Sequence, residues 1–137
     1  MVIWRAIKKN GLGLALLCGA LTALPIAARA DIAGEVMAAA THAGLSAHAT
    51  TVAMAHTHLH HTLNCLVGPG GRGFDSKELN PCNGLGNGAI PDATDSAQKK
   101  MLERIAARTR AALKSEDLAT VTKDAQRIQS ELQGIKG

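Results

Sequence analysis

Aromatic side chains are nearly missing from this 137-residue chain: there is no tyrosine, one phenylalanine and one tryptophan, and Phe74 is the only aromatic side chain beyond residue 30. A surface that stacks nucleic-acid bases cannot be built from that, and a haem held between two histidines would find smaller apolar walls than such a pocket usually has. An excess of charge is missing as well. The formal charge of +4 owes four of its fifteen basic residues to Arg5, Lys8, Lys9 and Arg29, with no acidic residue among the first thirty. Beyond them eleven basic residues face eleven acidic ones, so no electrostatic footprint for nucleic acid remains.

Long apolar runs are confined to the N-terminus. Arg5, Lys8 and Lys9 precede a mostly apolar stretch from Leu12 to Leu24, and Ala28-Arg29-Ala30 offers the small residues at alternate positions that a leader peptidase accepts. Residues 1–30 therefore read as a secretory signal peptide and 31–137 as one helical domain. The apolar stretch falls short of the roughly 20 residues a membrane span needs. Cys18 follows the bulky Leu17, which disfavours a lipid anchor at that cysteine. A periplasmic or secreted protein with no stable membrane anchor after cleavage is expected.

Carboxylates are missing where a hydrolytic centre would use them. None lies within ten residues of the histidine cluster described below, HExxH and HxxEH are absent, and the glycines include no Gly-Lys-Ser/Thr phosphate loop. Without CxxCH there is no covalent haem attachment either. An enzyme is not expected.

Set against these absences is the stretch AHTHLHHTLNC from Ala55 to Cys65. It places His56, His58, His60 and His61, four of the six histidines, within six residues. Imidazole is the commonest side-chain ligand for borderline metals, and on a helix spacings of three and four residues let two rings converge on one ion. His56 and His60 form one such pair, on the face shared by Leu59 and Leu63. His58 and His61 form the other, on the opposite side, where solvent is expected. Each pair is half a site, and His56 and His60 are the first candidates. Met54 lies on the side of His58 and His61, where a thioether would favour copper.

The architecture expected is all-α, a small helical bundle without strands. Ala38, His42, Leu45, Ala49, Val52, His56, Leu59, Leu63 and Leu66 recur in steps of three and four, which predicts one long helix over 32–66, capped by Asp31. Only a break at Gly44, with Ser46 as a new cap, would fold the chain back and bring His42 or His48 to the cluster. Residues 67–93, dense in glycine, proline and asparagine, read as an irregular loop. In an exported protein Cys65 and Cys82 are expected to pair and pin it. Beyond it, apolar residues from Gln98 to Leu113 and from Leu118 to Ile135 predict a helical hairpin, capped by Asp95 or Thr94 and by Ser115. Three helices would result, and so thin an alanine-rich core favours self-association, so a homo-oligomer is possible.

Over residues 31–66 composition and architecture resemble those of small exported histidine-rich helical metal-binding proteins of Gram-negative bacteria, without a diagnostic motif of a named family. The functional expectation is a protein that stores, buffers or delivers copper, nickel or zinc. The alternative is a helical module for protein interaction or self-assembly, with the histidines as a pH-responsive face.

Overall fold

The structure is a computed structural model that describes residues 30–135. The expected signal peptide thus lies outside the described residues, except for Ala30. Five helices follow in order: α1 (Ile32–Ala47), α2 (Val52–Val67), α3 (Ala89–Asp92), α4 (Ser96–Ala112) and α5 (Leu118–Gln133). No strand occurs among the described residues, and the all-α bundle expected from the periodicity is what forms.

The single long helix expected over 32–66 is instead an antiparallel pair, and the three-helix bundle becomes four long helices with a short turn of helix in the loop. The break does not fall at Gly44, which sits inside α1 against the Gln129 side chain of α5. It falls at 48–51. Thr50, Thr51 and Val52 are β-branched in succession, which weakens a helix, and the Thr51 hydroxyl accepts from Met54 N at 3.2 Å to start α2. Buried Ala49 plugs the turn, and Ser46 Oγ donates to Ala55 O at 2.9 Å across it. The seam had run through this turn in step because the interruption happens to preserve the three-four rhythm.

Small residues decide how closely α1 and α2 lie. Ala39, Ala43 and Ala55 are wholly buried, and Thr62 Oγ1 donates to Ala39 O at 3.2 Å on the facing helix. Side chains of this size let backbones approach toward the lower end of the usual interaxial range of about 8–10 Å. α1 packs on α2 and α5, and α4 packs on α5 and α2, so the four long helices close on one core. Its bulk comes from Leu59, Leu63, Leu66, Leu102, Ile105, Val121, Ile128 and Leu132. Each stabilises by about 1.5–3 kcal/mol on burial.

In the hairpin Asp95 caps α4, its carboxylate accepting from Gln98 N at 2.7 Å. α5 is capped by Asp117 rather than Ser115, whose hydroxyl accepts from Asp117 N one step earlier. A carboxylate accepts more strongly than a hydroxyl, and the Asp117 side chain also takes the Thr120 hydroxyl.

The loop between α2 and α3 is irregular but held at several points. Cys65 and Cys82 form the expected disulfide, 17 residues apart in sequence. Buried Asn64 reaches out of α2 to the loop backbone: its amide donates to Asp75 O at 2.9 Å and Leu79 O at 3.1 Å, and its carbonyl accepts from Asp75 N at 2.8 Å. One amide side chain thus fixes the path of residues 75–79 over the last turns of α2.

Candidate metal centre

The hairpin turn does what an unbroken rod could not. It carries His42 of α1 across to α2, where His42 Nδ1 lies 3.3 Å from His58 Nδ1 and 3.3 Å from His61 Nδ1. Ring nitrogens of the three residues all lie within 4.8 Å of one another. His42 and His61 meet edge to face with centroids 4.9 Å apart, while His42 and His58 are tilted by 37° at 5.5 Å. His61 is buried, His42 and His58 half-buried.

Protons alone cannot satisfy this arrangement. Each Nδ1 has one site in the ring plane, either a hydrogen to donate or a lone pair to accept with. His42 Nδ1 faces two nitrogens, so a proton placed there serves at best one contact well, and a lone pair accepts from only one. A cation between His42 and either neighbour would take both lone pairs, and the third ring has a nitrogen within 4.8 Å of theirs. Two nitrogens each about 2.0–2.1 Å from a tetrahedral ion stand about 3.3–3.4 Å apart, which is the spacing at both His42 contacts.

The electrostatics keep the rings available. Burial, helped by the neighbouring His61 and His58, lowers the His42 pKa to about 4. His61 is also lowered, first by burial, with the Glu78 carboxylate working in the opposite direction. At neutral pH both are unprotonated, with lone pairs free for an ion. His61 Nε2 stands 3.5 Å from Glu78 Oε2, so the carboxylate favours a proton on Nε2 and leaves the lone pair on Nδ1, the nitrogen that faces His42. A carboxylate behind a histidine in this way fixes ring orientation and raises ligand basicity.

The remaining sequence candidates go elsewhere. His56 Nε2 meets Ser115 O at 3.0 Å and ties α2 to the α4–α5 connection. His60 Nδ1 lies 3.8 Å from Asp75 Oδ2, too long for a hydrogen bond, and has no hydrogen-bond partner among the described residues. His48 is exposed and Met54 is 47% exposed. Of the four histidines singled out in the sequence, His58 and His61 join the convergent group and His56 and His60 do not. The expected faces are reversed, since His61 and His58 turn toward α1 rather than solvent. Two members were out of reach of a helix pattern. His42 needed the break at 48–51, and Glu78 arrives from the pinned loop, 17 residues along the chain from His61. Comparison with protein-family models, curated proteins and solved structures finds no match to this chain.

Proposed function

We propose that the protein is an exported, periplasmic or secreted carrier that takes up a transition-metal ion at His42, His58 and His61, for storage, buffering or delivery. The observation that carries this reading is the meeting of three ring nitrogens, two pairs of them at 3.3 Å, with a carboxylate behind one ring. An all-imidazole set suits zinc, copper or nickel rather than calcium or magnesium. The His42 spacing fits the tetrahedral geometry of zinc. Three protein ligands leave a fourth position for water or for a donor from a partner, which suits an ion that must be handed on.

Calorimetric titration of the metal-free protein with Zn(II), Cu(II) and Ni(II) tests the reading. One equivalent should bind. His42→Ala and His61→Ala should each weaken binding by at least about a hundredfold, more than the roughly 10–100-fold expected for an outer residue. The double variant His56→Ala/His60→Ala should bind as the parent does. Loss of binding in the double variant, with His42→Ala unaffected, would move the site back to the α2 pairs.

A further inference from the structure

The start of α1 holds an ionisable group that the histidine centre leaves unused. Glu35 is completely buried, its Oε1 accepts from Gly88 N at 2.8 Å, and its Oε2 has no hydrogen-bond partner among the described residues. Burial above all raises its pKa, the Gly88 hydrogen bond opposes that, and the carboxylates of Asp92 and Asp31 add to the rise. An unpaired polar atom at such a depth is costly. Asp92 offers no relief, since its oxygens accept from Asn87 N and Asn87 Nδ2 at 2.6 and 2.9 Å.

The chain itself suggests where a partner could stand. Asp31 precedes Glu35 by one helical turn, and side chains of a helix lean toward its N-terminus, which brings the Glu35 carboxyl back over residue 31. The Asp31 N–H donates to Leu85 O at 2.8 Å. Gly86 closes the same spot: a Cβ there would run into Asp92 Oδ2 and lie 2.8 Å from Glu35 Oε1 and 3.2 Å from Ala30 Cβ. Ala30 and both carboxyls therefore meet around one glycine. What this cage lacks is positive charge with more than one N–H at the nitrogen of Asp31. The bond before that nitrogen follows Ala28-Arg29-Ala30, the small-residue pattern that a leader peptidase accepts.

We propose that cleavage between Ala30 and Asp31 creates the cation for this cage: the new α-ammonium of Asp31 keeps Leu85 O and aims its other donors at Glu35 Oε2 and the Asp92 carboxylate. In the cleavage water breaks the Ala30–Asp31 amide, its hydroxyl going to the Ala30 carbonyl carbon and its hydrogen to the Asp31 nitrogen, which then takes a further proton from solvent. A single-donor amide becomes a three-donor cation while α1 stays where it is. Removal of the leader is thereby coupled to locking α1 against the segment that runs into α3, and only a chain starting at Asp31 is fully held.

The inference rests on the export reading, and the experiment separates the two. The protein is recovered after export and its N-terminus read by mass spectrometry. Its α-amine is then titrated by NMR, and thermal unfolding is compared with that of a chain retaining Ala30, each with and without Glu35→Gln. The expected results are a start at Asp31 and an α-amine titrating at least about one unit above its ordinary 7.7–8.0. Retention of Ala30 should lower the melting temperature by about 5 °C, a difference that vanishes in the Glu35→Gln pair. A start at another residue overturns the cleavage itself. A start at Asp31 with an α-amine in its ordinary range overturns the capture alone, and this titration needs no variant to fold.

Discussion

His42 stands between two other imidazoles inside the α1–α2 hairpin, and that position governs how it handles protons. The folded protein binds a proton there only near pH 4, whereas the unfolded chain binds one near the ordinary 6.5. Above pH 6.5 both states are neutral at this ring, and its contribution is fully present. As the pH falls from 6.5 toward 4 the unfolded chain is protonated first, so stability is lost, and below that no more is lost from this group. For a half-buried ring the loss should be on the order of 2 kcal/mol once solvent screening is allowed for. In the uncleaved chain, where the nitrogen of Asp31 is an amide, Glu35 acts in the opposite sense: its raised pKa gives a contribution present below the ordinary carboxylate value and lost as pH rises through the folded one. Urea unfolding of metal-free protein at pH 7 and 4.5, compared with His42→Gln, isolates the histidine. The variant should show the smaller fall on acidification, and an equal fall in both would show that His42 is not the group responsible.

At the scale of the element, the loop after α2 acts as a brace for the centre, because it carries Glu78 to His61. Glu78→Gln should weaken zinc binding by roughly 10–100-fold. Reducing the Cys65–Cys82 bridge, which closes a loop of 17 residues, should cost about 3 kcal/mol of stability and lower metal affinity toward that of Glu78→Gln. Chemical denaturation and calorimetry with and without reductant read both effects. The brace also depends on Gly68, whose φ of +68° ends α2 and whose Cα lies so close to Asn87 O that a Cβ would collide with it. Gly68→Ala should destabilise by about 2 kcal/mol or more, measurable as a lower urea midpoint.

α4 and α5 were legible in the sequence because their faces are marked by large apolar residues: Leu102, Ile105, Val121, Ile128 and Leu132 are all buried where the three-four spacing puts them. The face of α2 that meets α1 is different. It is made of Ala55, His58, His61 and Thr62, too small or too polar to register as a core face, so its histidines read as solvent-facing. In α1 the true buried face runs through Val36, Ala39, Ala40 and Ala43, one step from the apparent seam through Ala38, His42 and Leu45, and Leu45 is 46% exposed. Alanine buries well without announcing a direction.

For the whole molecule, the link between fold and centre is the closeness that alanines permit between α1 and α2. Packing at that distance places one imidazole from α1 against two from α2, while the disulfide and Asn64 hold a carboxylate on the far side of the cluster. Spacing alone shows the pair His58 and His61, and chain topology explains why it does not show the rest: His42 and His58 are 16 residues apart, with the hairpin turn between them, and Glu78 arrives from the loop. Enlarging a wall of that interface should therefore disturb the proposed metal site without touching a candidate ligand. Ala43→Leu, at a position with no exposed surface, should cost roughly 1–3 kcal/mol through overpacking and lower zinc affinity as α1 is pushed away. Parent-like affinity in a folded Ala43→Leu protein would separate the centre from the packing.

The most direct measurement is anomalous diffraction at the zinc edge from crystals of protein loaded with one equivalent of Zn(II). A single peak about 2.0–2.1 Å from Nδ1 of His42, His58 and His61 is the expected result. A peak between His56 and His60, or on surface carboxylates with the three Nδ1 atoms left facing each other, would contradict it.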